Sequence, residues 1–232
     1  MIPLRDSIRS RRFPVVNVML IALNILVFLY EWTLSDRQLA FLFRYYGVVP
    51  LRFASVLSGP ASFGHGLLPP LTLFTSQVLH GGIVHVAGNM LYLWVFGDNV
   101  EDRMGHLRYL VFYLLVGSIS GIAHVLFNLG SPVPTIGASG AVAGVLGAYF
   151  ISFPRSRVVA LIPLVLFWTV TEVPAVIFLF LWFLLQLVSG AASLGATAQV
   201  GAGVAWWAHI GGFIAGAALV NMFKVKRRWP YP

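Results

Sequence analysis

Long apolar segments that are nearly free of charge dominate the sequence and most restrict what the chain can fold into. Only 9% of its 232 residues are charged, whereas a soluble domain carries about 25%. The segments are long enough to supply the roughly 20 apolar residues that a helix needs to cross a bilayer. The sequence therefore predicts an all-α polytopic membrane protein with a single domain.

The apolar segments define six predicted transmembrane helices. Residues 34–75 form a long first loop, whose aromatic and apolar residues suggest that it lies at the membrane interface. Residues 158–173 form another apolar stretch, which proline interrupts. The predicted helices cover residues 14–33, 82–100, 108–128, 138–153, 174–189 and 205–223. The predicted divisions are a basic cytoplasmic N-terminus at 1–13, a six-helix core at 14–223 and a basic cytoplasmic tail at 224–232.

The basic residues predict the orientation of this bundle. The net charge is +8, and placing the N-terminus in the cytoplasm leaves only three of the 15 Lys and Arg residues outside, Arg37, Arg44 and Arg52. This distribution follows the positive-inside rule and predicts that both termini are cytoplasmic. The membrane orientation accounts for the net positive charge, so nucleic acid is not predicted as a partner. The first apolar segment lacks a cleavage site of the Ala-x-Ala kind, so it is predicted to remain as a membrane helix.

Two polar side chains, Ser139 and His209, are predicted to lie at similar depth in the outer half of the membrane. At about 1.5 Å of rise per residue, Ser139 stands roughly 24 Å and His209 roughly 22 Å from the cytoplasmic ends of their helices. The helix of Ser139 is too short to cross the hydrocarbon core, so this serine should stand at the floor of an outward-facing cavity.

A serine and a histidine are the parts of a nucleophilic hydrolase. No carboxylate has a predicted position near them, so the sequence favours a dyad in which Ser139 is the nucleophile and His209 the general base. The alternative is that these segments have only a structural role. Small residues recur at intervals of four around Ser139 and His209, a spacing that lets two helices pack closely. Ser139 would then only hydrogen-bond a backbone carbonyl. A histidine inside a bilayer is costly and favours the functional interpretation.

His85 and Asn89 are four residues apart and share one face of the second predicted helix. Both side chains donate hydrogen bonds, as does the backbone N–H of Ser139, and acyl transfer needs such donors around the oxyanion of its intermediate. The alternative is that the pair bonds neighbouring helices. His80 and His85 could suggest a metal, but no third ligand stands at a suitable spacing, so neither a metal nor a cofactor is predicted.

Three segments, in this order on the second, fourth and sixth predicted helices, resemble the rhomboid family of intramembrane serine proteases. They are HGGIVHVAGNM at 80–90, GASG at 137–140 and AHIGGFIAG at 208–216. The resemblance implies a six-helix core with a first loop partly in the membrane. It implies that Ser139 is the nucleophile, His209 the general base, and His85 and Asn89 parts of the oxyanion hole.

The chain departs from the family pattern in two places. Some rhomboids carry a Trp-Arg pair in the first loop, and residues 34–75 contain none. Some place a tyrosine one turn after the nucleophile, where it packs on the histidine, and here that position is Ala143. The sequence therefore does not identify the group that orients His209.

The leading hypothesis is an endopeptidase that hydrolyses peptide bonds in or beside transmembrane segments, with membrane proteins and the bilayer as its partners. One alternative is a catalytically inactive, rhomboid-like chaperone of membrane proteins. Another is a small-solute transporter, which would need broken helices in symmetry-related halves, and no inverted repeat is visible. The bare core without a transit-like N-terminus predicts a prokaryotic plasma membrane.

Overall fold

The computed structural model describes residues 1–57, 67–163, 168–194 and 204–225. Its elements form a mostly helical bundle with a small sheet at one end. In chain order they are β1 (Ile2–Asp6), α1 (Val15–Trp32), α2 (Asp36–Tyr46), α3 (Pro50–Leu57), α4 (Pro69–Thr75), α5 (Ile83–Met104), α6 (His106–Phe127), α7 (Ser139–Ser152), β2 (Arg157–Pro163), β3 (Trp168–Pro174), α8 (Ala175–Leu194) and α9 (Trp206–Phe223).

Helices occupy all six segments that the sequence predicts to cross the membrane. Among the described residues, four of them, α1, α6, α8 and α9, are long and apolar enough to span a bilayer. The segment Pro69–Val78, which contains α4, meets α5 at an 85° bend, and the two together would make a fifth span or a re-entrant loop. Helix α7 has 14 residues, which are too few to span a bilayer. The chain is thus a polytopic membrane protein, and the count of six spans stays a prediction.

The all-α prediction overlooked a three-stranded antiparallel sheet in the order β1-β2-β3. Ile2 of β1 faces Leu161, and Val158 of β2 faces Val173 of β3. The apolar stretch at 158–173 is rich in valine and threonine, whose branched Cβ atoms favour strands over helices. The sheet also includes Ile2–Asp6, part of the segment 1–13 that was predicted as a basic cytoplasmic N-terminus.

The described part of the first loop is mostly helical. It contains α2, α3 and α4, and a capping box in which Ser35 and Gln38 hydrogen-bond each other begins α2. Its contact with the membrane stays a prediction. Residues 58–66 of this loop and 226–232 of the predicted basic tail lie outside the described residues.

The short helix α7 forms the centre of the bundle, where every residue from Gly140 to Tyr149 is buried. Glycines let α9 approach it to backbone contact. A Cβ atom at Gly212 would meet the carbonyl of Gly140, and one at Gly216 would meet the carbonyl of Gly144. Because these contacts advance along both helices in the same direction, α7 and α9 run parallel and bring their N-terminal ends together.

Candidate active site

The parallel packing of α7 and α9 brings Ser139 and His209 into hydrogen-bond contact. Ser139 is the first residue of α7, and His209 lies in the first turn of α9. The Oγ atom of Ser139 lies 2.8 Å from Nε2 of His209. This distance allows the hydroxyl proton to pass directly to the imidazole.

The second ring nitrogen of His209 contacts a residue that the sequence analysis did not consider. Nδ1 lies 2.8 Å from Oε1 of Gln186, a buried side chain on α8. Because an amide oxygen only accepts hydrogen bonds, Nδ1 carries the proton and Nε2 is left to accept the Ser139 hydroxyl. A signal was present in the sequence: Gln186 is the one amide side chain in the predicted fifth helix, 174–189.

Two tryptophans stand around the imidazole of His209. The ring centroid of Trp182 lies 6.1 Å from that of His209, and Trp206 meets it edge-on at 6.2 Å. Position 143, where some rhomboids carry a tyrosine, holds a fully buried alanine. The aromatic surface beside the histidine therefore comes from α8 and α9 instead of α7.

His85 lies beside Gly137, two residues before the serine. The backbone N–H of Gly81 donates to Nδ1 of His85 at 3.4 Å, which places the ring proton on Nε2. Gly137 has a φ of 126° and no Cβ, and a Cβ there would lie 2.7 Å from Nε2 of His85 and 3.7 Å from Oγ of Ser139. The glycine is required both by this backbone conformation and by the space that His85 occupies.

Asn89 belongs to a buried polar chain on the same side of the site. Its Nδ2 donates to Nε2 of His80 at 3.0 Å. The backbone N–H of His80 donates to both carboxylate oxygens of Glu31 at 3.2 Å. Glu31 had no predicted role, because it lies on another helix and is far from the other site residues in the sequence.

These groups line one cavity of about 960 Å³. Its polar residues include Ser139, His209, His85, Asn89, His80 and Glu31, and most of the remaining wall is apolar. The backbone N–H of Ser139 lies in the first turn of α7, where N–H groups have no intrahelical partner. The site therefore combines a hydroxyl, a base and several hydrogen-bond donors around one space.

Other carboxylates are engaged elsewhere. Glu101 accepts the backbone N–H groups of Val16 and Asn17, and Glu172 lies 3.3 Å from Arg157. In the described part of the chain, no carboxylate bonds His209, and no group of three or more His, Asp or Glu side chains could hold a metal ion.

Comparisons with known proteins identify relatives of this chain. The family model described as "Rhomboid domain" matches residues 70–225. "Rhomboid protease GluP" of Bacillus subtilis (strain 168) is 49% identical over 76 residues, which are 33% of this chain and 14% of that protein. "RHOMBOID-like protein 1" of Arabidopsis thaliana is 30% identical over 159 residues, 68% of this chain and 36% of that protein.

A mitochondrial relative is also similar. "Presenilin-associated rhomboid-like protein, mitochondrial" of Homo sapiens is 31% identical over 140 residues, which are 60% of this chain and 33% of that protein. The chain thus spans between 14% and 36% of the length of these curated relatives.

Proposed function

The chain belongs to the rhomboid family, and we propose that it is an intramembrane serine endopeptidase that cleaves peptide bonds in or beside transmembrane segments. The observation that carries the proposal is the 2.8 Å contact between Oγ of Ser139 and Nε2 of His209. Family membership alone would not establish activity. The contact supports it, because the nucleophile and the base are within reach of each other and lie on a cavity wall.

In the proposed reaction, His209 takes the hydroxyl proton while Oγ of Ser139 attacks the carbonyl carbon of the scissile bond. The negative charge that develops on the carbonyl oxygen is stabilised by the His85 and Asn89 side chains and the Ser139 backbone N–H. The imidazolium then returns its proton to the leaving amine. Water, activated by the same imidazole, hydrolyses the resulting ester and frees Ser139.

The substrate class follows from the position of the cavity among apolar helices. A peptide reaching Ser139 must come from a chain that lies in the membrane or at its surface. Its backbone must be extended near the bond, because helical carbonyls are hydrogen-bonded and shielded. Glycine or proline in a transmembrane segment lowers the cost of such unwinding.

The proposal is tested with purified protein and a transmembrane reporter, together with a fluorophosphonate that reacts with activated serines. Wild type should cleave and be labelled, whereas Ser139→Ala and His209→Ala should do neither. Ser118→Ala is a matched control, since Oγ of Ser118 only donates to the Leu114 carbonyl within α6 at 2.8 Å. A wild-type protein that is folded but neither cleaves nor labels would favour the inactive, chaperone-like alternative.

The proposed orientation places the opening of the cavity outside the cytoplasm, with both termini inside. The chain has no cysteine, so single cysteines give a clean readout. A cysteine at Val133, which is 54% exposed before α7, should react with a membrane-impermeant maleimide added to intact cells. A cysteine at the exposed Arg155, after α7, should react only after permeabilisation. The opposite pattern would invert the topology.

We further propose a prokaryotic plasma membrane as its location. The mitochondrial relatives show that rhomboid-like proteins also occur in organelles. Fractionation of a native source, with an antibody against this chain, distinguishes the two compartments.

A further inference from the structure

We propose that Gln186 is the positioning residue of His209. It occupies the place that a carboxylate takes in a serine-protease triad. This inference rests on the proposed function, because it concerns how the same dyad is kept in its reactive state. Gln186 does not touch the reacting atoms. It acts through the Nδ1 atom of His209, 2.8 Å from its amide oxygen.

The orientation of the Gln186 amide is fixed from its other end. Its Nε2 donates to the backbone carbonyl of Trp182 at 3.3 Å, one turn earlier on α8. With the amino group engaged there, Oε1 is the atom that faces the imidazole. The side chain is 7% exposed, so water does not compete effectively for this contact.

This hydrogen bond selects the tautomer that catalysis needs. A neutral imidazole carries one proton, and Oε1 of Gln186 holds that proton on Nδ1. Nε2 is then unprotonated and faces Oγ of Ser139 at 2.8 Å. In the other tautomer, Nε2 could not accept the hydroxyl proton, and two acceptors, Nδ1 and Oε1, would face each other.

A neutral amide suits this position in a membrane. A carboxylate among the apolar residues of α8 would have to be desolvated, which is costly in a bilayer. The amide supplies the same acceptor without a net charge. It also offers a partial negative charge to the imidazolium that forms during proton transfer, although a weaker one than a carboxylate would offer.

The other groups around His209 do not compete with Gln186. Position 143 is a buried alanine that carries no polar group. The Glu31 carboxylate in the same cavity is engaged by the His80 backbone N–H. Trp182 and Trp206 restrict the ring by packing and offer no acceptor to Nδ1.

The test compares Gln186→Met, which keeps the length of the side chain and removes the acceptor, with Gln186→Glu, which keeps an acceptor and adds a charge. The rate of fluorophosphonate labelling reports the nucleophilicity of Ser139 without a known substrate, and reporter cleavage gives kcat and KM. The matched control is Gln77→Met, a buried glutamine whose Nε2 donates to the Leu73 carbonyl and which does not contact His209.

We expect Gln186→Met to lower the labelling rate and kcat by about 10–10²-fold with KM nearly unchanged, because the lost bond is made to a group that becomes charged. Gln186→Glu should restore most of the rate. It should also move the acidic limb of the pH–rate profile to higher pH, because an added carboxylate stabilises the imidazolium. Gln77→Met should leave the rate and the profile as in wild type.

The outcomes separate this inference from the proposed function. A folded wild type that is never labelled at Ser139 overturns the proposed function. A labelled wild type overturns the role of Gln186 alone if Gln186→Met reacts within threefold of it, or if Gln186→Glu leaves the pH–rate profile unmoved. Should Gln186→Met fail to fold, the pH–rate profile of Gln186→Glu decides the question by itself.

Discussion

The side chain of Asn89 is held by His80, whose Nε2 lies 3.0 Å from the Asn89 amide nitrogen. The amide has two hydrogens, and this bond engages one of them. The other remains available on the wall of the cavity that also contains Ser139. His80 would thus hold Asn89 in the proposed oxyanion hole, and the bond between the His80 backbone N–H and Glu31 anchors His80 to α1.

Removing the Asn89 amide should impair the transition state and spare substrate binding. Asn89→Ala is expected to lower kcat by about 10²–10³-fold with little change in KM, since the oxyanion exists only during the reaction. Asn24→Ala is the control: this buried asparagine on α1 donates to the Leu20 carbonyl and does not line the cavity. A rise in KM at constant kcat would assign Asn89 to substrate binding.

The role of His80 is tested by combining variants. If His80 acts through Asn89, His80→Ala should lower kcat in the wild-type background and have little further effect in Asn89→Ala. Additive losses in the double variant would show that His80 contributes by a separate route.

Glycine contacts between α7 and α9 should dominate the packing energy around the dyad. Gly216→Ala places a Cβ against the Gly144 carbonyl, and overpacking of this kind costs about 1–3 kcal/mol. Gly88→Ala is the matched helical control, because a Cβ there meets nothing within 4 Å. It should stabilise α5 by about 0.5–1 kcal/mol through backbone entropy. Thermal unfolding in detergent measures both, and equal effects of the two variants would contradict the packing argument.

The positions of the six main helices and of Ser139 and His209 could be predicted from the sequence, because both rest on signals that are local along the chain. Apolar runs indicate helices, and the depth that the flanking basic residues imply for Ser139 and His209 stays a prediction. Small residues at intervals of four indicate which helices come close. Helix packing through small residues and a Ser–His dyad were alternative interpretations of the same segments. Both hold at one interface, because the backbone contact between α7 and α9 brings Ser139 to His209.

The sheet and Gln186 depend on contacts that are distant in the sequence. Strand β2 pairs with β1 across more than 150 residues, as in the Ile2 and Leu161 pair, and an apolar run of that length is compatible with a helix as well. Gln186 and His209 are separated by 23 residues on different helices. Helical periodicity cannot tell which faces of α8 and α9 meet, so the partner of Nδ1 had to come from the structure.

Glu101 should matter for stability and not for catalysis. Its fully buried carboxylate accepts the N–H groups of Val16 and Asn17, which begin α1, and lies 2.5 Å from Nδ1 of His106. Pro14, before α1, has no side-chain cap to offer. Glu101→Gln weakens these charged bonds and should cost about 1–3 kcal/mol.

The catalytic readout for Glu101→Gln is the fluorophosphonate labelling rate of the folded fraction, which should stay within about tenfold of wild type. Loss of a true triad acid would instead cost about 10⁴-fold. Asp98→Asn, Asp102→Asn and Glu172→Gln should likewise leave the rate within that range. A 10⁴-fold loss in any well-folded amide variant would replace the dyad by a triad.

The last prediction concerns Asp6, which joins β1 to the C-terminal ends of α5 and α7. Its Oδ2 accepts hydrogen bonds from the Tyr149 hydroxyl at 2.6 Å and from Asn99 at 2.9 Å. Burial, with a smaller contribution from the negative charge of Asp98, raises the pKa of Asp6 from 3.8 to about 7, although the Tyr149 bond opposes the shift. The folded state thus binds the proton more tightly than the unfolded state does.

The stability that Asp6 contributes is therefore complete below about pH 4 and is lost as pH rises through about 7. Thermal unfolding in detergent should show that Asp6→Asn, which cannot ionise, loses less stability than wild type between pH 5 and pH 8. Asp36→Asn, an exposed carboxylate at the start of α2, should keep the wild-type dependence. Parallel curves of stability against pH for Asp6→Asn and wild type would show that the Asp6 carboxylate does not titrate in this range. The contact between the sheet and the bundle would then not depend on a proton.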